Sequence, residues 1–308
     1  MLFKKQQLAV ENGSITVEQT QMPKKKLHND KIRLNLYRVL VYTILIILTI
    51  LCLFPFYILL VNCSRQSSDI QQGFSWTFGN YFGKNFKNLM ANTNIPLKAG
   101  FVNSLIIALF GSLLTVYFSA LTAYGTTIYK FKFKKVITTF ILAVMMIPTQ
   151  VSALGLVIMC MKAGWTNQLW VIIVPCVASP VTYFYMKQYI EAVLPMEVIE
   201  ASRVDGYGEL RIFHTIALPI LKPALAVQFI FAYVANWNNY FIPSLLLTTD
   251  DVKTLPLVLA NLKLSSPDTF DLGQVYCLMT IAVIPVLIVY LIFSRAIIKN
   301  LTSGAVKG

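Results

Sequence analysis

The sequence predicts an all-α polytopic membrane protein: six transmembrane helices, with a cytoplasmic helix-turn-helix between the fourth and the fifth. Three observations predict it. The 308 residues are 56% hydrophobic and only 13% charged, whereas soluble domains carry about 25% charged residues. Six windows are free of charge: Val39 to Ser64, Ala99 to Tyr129, Val136 to Met161, Ala163 to Met186, Pro223 to Thr249 and Leu272 to Ser294. Each exceeds the roughly 20 residues that cross a hydrocarbon core of about 30 Å at 1.5 Å per residue. Finally, a polar island, Glu200 to Pro219 (EASRVDGYGELRIFHTIALP), interrupts the apolar chain. A connection of that length in a compact fold needs a purpose of its own.

Residues 1–35 form a polar tail in which Lys4, Lys5, Lys24, Lys25, Lys26, Lys31 and Arg33 outweigh Glu11, Glu18 and Asp30. With no apolar core, the tail is expected to be disordered to about residue 30. It is too long and too mixed for the n-region of a cleaved signal peptide. The first span occupies 36–64 and an extracytoplasmic loop 65–98. A core of 99–298 contains the connecting loop 187–222, and 299–308 is a second tail. Most of the 26 basic residues lie in alternate segments, namely 1–38, 130–135, 187–222 and 295–308. By the positive-inside rule these segments and both termini of this multi-pass protein are expected to be cytoplasmic.

Within the core, several features stand out. The loop 65–98 carries Phe74, Trp76, Phe78, Phe82, Asn85 and Asn88, which suit an interfacial helix or contact with an outer partner. Ser119 and Ala123 in the second span make a small-x-x-x-small pair that lets helices approach closely. In the third span Pro148 frees a backbone carbonyl beside Thr149 and Gln150, which suits either a packed kink or a cavity wall. The fifth span ends in Asn236, Trp237, Asn238, Asn239 and Tyr240, expected to stop at Pro243. Amides and aromatics in lipid are costly unless they face protein or water. They suit interhelical hydrogen bonds, or a sugar with its hydroxyls and apolar C–H faces.

Much chemistry is excluded. There is no G-x-x-x-x-G-K-[ST] phosphate loop, so the chain does not bind ATP by that route. There is no G-x-S-x-G elbow and no H-E-x-x-H, and only two histidines are present, so no catalytic residue is assigned and the chain is read as a non-enzyme. The five cysteines lie in or beside apolar runs without C-x-x-C spacing and read as packing residues, leaving no metal site and no cofactor. The net charge of +13 flanks the spans without a nucleic-acid fold motif, so no nucleic acid is expected. Uncharged spans argue against proton coupling, while a sodium site built from carbonyls stays open. Energy for uphill transport would enter from outside the spans.

In the island, Pro195 suits a first helical turn and Met196 to Val204 follow as helix formers. Asp205-Gly206 ends that helix, because glycine takes the left-handed conformation readily. A second helix from Glu209 to Ala217 is expected to be stopped by Pro219 and Pro223. These residues carry a resemblance. Glu200-Ala201-Ser202, Gly206 and Ile216-Ala217-Leu218-Pro219 resemble the E-A-A, three residues, G, nine residues, I-x-L-P motif of importer permeases of ATP-binding-cassette transporters, with serine for the second alanine. Asn103-Ser104, Trp237-Asn238-Asn239-Tyr240, Thr254-Leu255-Pro256 and the tail Leu301 to Gly308 are similar to features of the maltose-type carbohydrate importers, and specifically of their six-helix permease.

The resemblance implies a permease that imports a sugar, such as an oligosaccharide, by alternating access. Its implied partners are a second permease, two ATP-binding-cassette ATPases that hold ATP and Mg, and an extracytoplasmic solute-binding protein. Glu200, Ala201, Ser202, Asp205, Gly206, Ile216, Leu218 and Pro219 would then couple the chain to an ATPase. Thr149, Gln150 and Asn236 to Tyr240 are candidates for the substrate path. A permease for a polyamine or glycerol phosphate and an ion-coupled secondary carrier stand as alternatives.

Overall fold

The computed structural model describes residues 7–11, 14–18, 24–264 and 270–305, with side chains described over 34–264 and 270–294. The chain divides into two units, Met1–Ile58 and Leu59–Gly308. In the first, β1 (Gln7–Glu11) pairs antiparallel with β2 (Ser14–Glu18), Leu8 opposite Val17. Helix α1 (Lys24–Cys63) follows, and its end from Leu59 belongs to the second unit. This hairpin and the start of α1 at Lys24 differ from the expected tail, disordered to about residue 30, and from a first span beginning at 36. The Asn12-Gly13 dipeptide between alternating apolar residues is a hairpin signal. Lysine is a good helix former, so a basic stretch need not end a helix.

The second unit is helical. It comprises α2 (Ser67–Gln71), α3 (Phe82–Ala91), α4 (Leu97–Ile128), α5 (Lys134–Val144), α6 (Thr149–Ala163), α7 (Trp170–Ile173) and α8 (Pro180–Val193). After these come α9 (Met196–Val204), α10 (Glu209–Ile212), α11 (Leu218–Trp237), α12 (Phe241–Leu246), α13 (Leu255–Lys263) and α14 (Leu272–Ala305). Five helical stretches among the described residues are long and apolar enough to cross a membrane, six if α5 and α6 form one bent span. The all-α expectation therefore holds for the spanning part. The end of the glycine-rich tail, residues 306–308, lies outside the described residues.

Prolines redraw three of the expected spans. The third is no single helix: α5 and α6 meet at a 96° bend. Pro148 sits there with ψ of 132°, lacks an N–H and disfavours helix in the residue before it. The fourth helical stretch starts at Trp170, beyond a left-handed Gly164 that ends α6. It passes through a 3₁₀ turn, Val174–Val177, and a break at Ala178-Ser179 into α8. The fifth shows the reverse error. Pro219 and Pro223 do not stop the chain: Pro219 lies in the first turn of α11, where no N–H is needed, and Pro223 is carried inside it. The turn before it, Phe213–Ala217, widens into a π-helix, which gives the Pro219 ring room against the preceding carbonyls. At its far end α11 stops at Trp237, not Pro243.

Helix α4 is the central strut, packed along α8 and α11. Its buried face is made of small and hydroxyl residues, including Ser104, Ala108, Gly111, Ser112, Thr115, Ser119, Ala120 and Ala123, while Val102, Leu109, Phe110 and Leu113 are exposed. The pattern inverts that of a soluble protein. Lipid tails are as apolar as leucine, so helices associate through close packing and hydrogen bonds, and large apolar side chains face outward. Ala123 packs in one cluster with Tyr183, Met186 and Ile190 of α8, and Ser119 donates to the Ser179 carbonyl just before α8 at 3.4 Å, as their spacing predicts for a helix contact. At the start of α4, Asn103 Nδ2 donates to the carbonyls of Asp251 (2.8 Å) and Lys253 (3.0 Å). Ser104 Oγ accepts the Leu255 N–H at 2.8 Å. The Asn-Ser pair and the Thr254-Leu255-Pro256 segment, distant in sequence, thus form one joint.

In the loop 65–98, Asn85 is buried and donates to the Cys63 and Arg65 carbonyls at 3.0 and 2.8 Å, while Trp76 and Phe78 are exposed. Gly111 marks the closest crossing of α4 and α11. A Cβ there would lie 2.9 Å from Asn236 Nδ2 and 3.2 Å from Cys176 Sγ. Gly111→Leu should therefore cost about 1–3 kcal/mol, the usual penalty of overpacking, seen as a lower midpoint of thermal unfolding in detergent.

Candidate functional site

Breaks in the helices leave a cavity of about 660 Å³ among α4, α6, the α7–α8 connection and α11. One face of α11 supplies Gln228, Ala232, Ala235 and Asn236, the spacing of a single helical stripe, and Asn239 follows just past the helix end. Thr115 of α4 and Thr149 of α6 add hydroxyls, and Tyr185 and Phe231 add aromatic faces; no charged side chain lines the space. Thr115 Oγ1 donates to the Cys176 carbonyl at 2.8 Å, and Cys176 Sγ lies 3.5 Å from Asn236 Oδ1. The wall is thus held by its own hydrogen bonds while amide groups remain on its surface.

Of the path candidates, Thr149, Asn236 and Asn239 line this cavity; Gln150, Trp237, Asn238 and Tyr240 do not. Trp237 is buried in the core, where Nε1 donates to the Ala282 carbonyl at 3.0 Å and the ring stacks on Tyr233. It is a packing residue. Gln150, Asn238 and Tyr240 are exposed on this chain. Gln228, Thr115 and Tyr185 also line the cavity and are not among the residues expected from the sequence. Gln228 carried a usable signal, being an amide in an apolar run two turns from Asn236 on the same helical face.

The island forms α9 and α10 as expected, with a sharply defined turn. Gly206 has φ +82°. Its N–H donates to the Arg203 carbonyl and that of Tyr207 to the Ser202 carbonyl, each at 3.0 Å. This is a Schellman ending, which needs a left-handed residue at that position. Glu200, Ala201, Asp205 and Gly206 are exposed, as are Val204 and Leu210. Ser202 is not among them: it is buried, its hydroxyl donating to the Val198 carbonyl at 2.6 Å. Serine stands where the motif has alanine because the side chain turns inward beside buried Ile199. Ile216 and Leu218 are half-buried against the α4–α8 core, and Pro219 is exposed.

A clamp that the sequence reading did not foresee holds α9 to the rest of the unit. Arg203 Nε donates to Glu209 Oε1 at 2.7 Å and Nη2 to Oε2 at 3.3 Å. Tyr129, just past the end of α4, donates its hydroxyl to Glu209 Oε2 at 2.6 Å. The Arg203 guanidinium also lies 5.6 Å from the Tyr129 ring centre, a cation–π distance. The hydrogen bonds from Arg203 and then Tyr129 hold the Glu209 carboxyl below its usual range. Burial, and then the bond to Glu209, push the Tyr129 phenol up to about 12. Bidentate, charge-assisted bonds of this kind fix geometry as well as adding energy. The clamp therefore makes α9, its turn and the end of α4 one mechanical piece.

Residues 116–303 match the family described as binding-protein-dependent transport system inner membrane component. The chain belongs to this family. Among its relatives, the arabinooligosaccharides transport system permease protein AraQ of Bacillus subtilis (strain 168) is 30% identical, over 89% of this chain and 97% of that protein. The lactose transport system permease protein LacG of Rhizobium radiobacter is 31% identical, over 90% and 98%. The trehalose/maltose transport system permease protein MalG of Thermococcus litoralis is 29% identical, over 89% and 98%. The fold is similar to a chain of a bacterial ABC transporter involved in the import of the acidic polysaccharide alginate, with TM-score 0.74 and 18% identity over 85% of this chain and 96% of that one. The membership accords with a transport subunit built of membrane helices.

Because the folded Glu209 carboxyl sits below its usual range, its stabilising contribution is present above the unfolded carboxylate pKa and is lost as pH falls through the folded value. Amide protection at 208–212, corrected for intrinsic exchange, should therefore hold steady from neutral pH down to the ordinary carboxylate range and fall progressively as pH drops through and below it. Glu209→Gln should lower that protection at neutral pH, with the difference from wild type closing at low pH, and bring the Tyr129 phenol back toward 10, followed by NMR of labelled tyrosine.

Proposed function

We propose that this chain is one membrane-spanning subunit of an ATP-driven, binding-protein-dependent importer for a neutral oligosaccharide. It acts in a bacterial cytoplasmic membrane with both termini inside. It pairs with a second permease over two ATPase subunits, which hold ATP and magnesium, and receives its solute from an extracytoplasmic binding protein. The observation that carries this reading is helix α9. It is exposed on one face with Glu200 and Ala201, ended by a left-handed Gly206, and clamped to α4 by Arg203, Glu209 and Tyr129. An exposed, rigidly attached helix at the end of a bundle is what a separate motor needs in order to push the bundle.

In the cycle, closure of the ATPase pair draws α9 inward. The clamp passes the displacement to α4, and α8 and α11, packed on α4, move with it. That motion would open and close the cavity alternately to the two sides of the membrane. Relatives named for arabino-oligosaccharides, lactose and trehalose/maltose support a carbohydrate as cargo. The uncharged cavity, with amides, hydroxyls and two aromatic faces, favours a neutral solute. A polyamine or glycerol phosphate would need a buried counter-charge, which costs several kcal/mol to leave unpaired. An ion-coupled carrier would move solute in liposomes without an ATPase.

Gly206→Asp should abolish uptake while the protein still inserts, because an L-residue at φ +82° is strained; near-normal uptake would sink the coupling role. Gln228→Ala and Asn236→Ala should each weaken sugar binding about tenfold, the worth of one lost hydrogen bond of roughly 1.5 kcal/mol, read as a raised KM for uptake. Thermal-shift screening of the associated binding protein against glycans should give a shift with neutral oligosaccharides, whereas a shift only with amines or phosphates would overturn the choice of cargo.

A further inference from the structure

The end of the bundle that carries α9 also carries a basic pocket that the transport reading does not use. Lys132, Lys134, Lys135 and Lys187 line a space of about 400 Å³ where the connection 130–135 meets α5 and α8. The ion pairs among the described residues are Lys187–Glu191, Arg203–Glu209 and Lys253–Asp250, and Lys134 Nζ donates to the Thr127 carbonyl at 2.9 Å. Lys132 and Lys135 therefore have no carboxylate partner among the described residues. Cations gathered this way repel one another and gain from a shared anion.

A second feature adjoins the first. A mainly apolar groove of about 340 Å³ continues along α5 and α8, lined by Phe140, Ile141, Val144, Pro180 and Tyr183. The two spaces have adjoining walls: Thr138, which lines the basic pocket, accepts a hydrogen bond from the Tyr183 hydroxyl of the groove at 3.4 Å, and Thr139 of the pocket precedes Phe140 of the groove. Phe133, Val136 and Phe140 are exposed beside them, and phenylalanines alternate with lysines along Lys130-Phe131-Lys132-Phe133. A cationic pocket beside an apolar trough on the same helix pair has the polarity and order of a phospholipid, head first and then tail. A small free anion would use the pocket and leave the groove without an occupant.

We propose that this pocket and groove bind one anionic phospholipid, its phosphate against Lys132 and Lys135 and an acyl chain along Phe140 and Ile141. Basic residues at a membrane surface attract anionic headgroups by about 1 kcal/mol each, and the pocket adds shape to that attraction. The bound lipid would sit at the same end of α4 as the Tyr129 clamp.

The test is native mass spectrometry of the full chain in detergent, titrated with phosphatidylglycerol, cardiolipin or phosphatidylcholine. Retention of the anionic lipids but not of phosphatidylcholine is expected. Lys132→Gln with Lys135→Gln should weaken it about tenfold or more, from two lost cations. The arginine pair at the same positions should restore it, and Lys84→Gln with Lys87→Gln on α3 should leave it unchanged. Equal retention of phosphatidylcholine, or unaltered binding by the glutamine pair, would overturn the proposal. Displacement of the lipid by millimolar inorganic phosphate would also overturn it, by assigning the pocket to a free anion.

Discussion

A helix inside a bilayer cannot gain by hiding apolar side chains from a solvent that is itself apolar. What holds this bundle together is therefore the close approach of backbones and the hydrogen bonds that approach permits. Helix α4 shows both. Gly111 brings it against Asn236 and Cys176 on α11 and the connection before α8, and Thr115 reaches a carbonyl that the 3₁₀ turn has left free. Had α4 been lined with leucine toward its partners, the chain would pack no better than lipid packs against it. It would also hold the helices too far apart for these bonds. The cavity, the joint at Asn103 and the clamp at Tyr129 lie along this one helix, at its middle and its two ends.

The prolines act on the same economy. Each removes an N–H; the chain breaks at Pro148 and widens before Pro219, while Pro223 and Pro285 are carried inside their helices. A broken helix in lipid is costly unless its free carbonyls face protein or water, so the breaks gather around one uncharged cavity. That cavity's wall is assembled from pieces that a straight six-helix bundle would have kept apart.

The spans and the surface helix were legible in the sequence for physical reasons. Charge is excluded from the hydrocarbon, so charge-free windows report spans. A left-handed turn nearly demands glycine, so Gly206 reported where α9 ends. The orientation of single residues near a helix end was not legible. Each step along a helix rotates the side chain by about 100°, so Asn236 faces the cavity while Trp237 faces the core, though the two looked alike as members of one polar-aromatic cluster. The clamp was hidden because Tyr129 is far from Glu209 along the chain and no local spacing links them. The burial of Ser202 was not legible either, because small size suits close packing on either face of a helix, inward as well as outward.

The hydrogen bonds of α4 also bear on how the protein is made. At synthesis rates of about 5–20 residues per second, α4 is complete several seconds before α11 exists. Ser112 and Thr126 need no partner in that interval, because they bond to the carbonyls of Ala108 and Thr122 one turn back on their own helix. Asn103, Thr115 and Ser119 bond to segments not yet made, at Asp251, Cys176 and Ser179. The nascent helix therefore waits with part of its polar surface settled and part owed, which favours keeping it beside the insertion machinery until the later helices arrive.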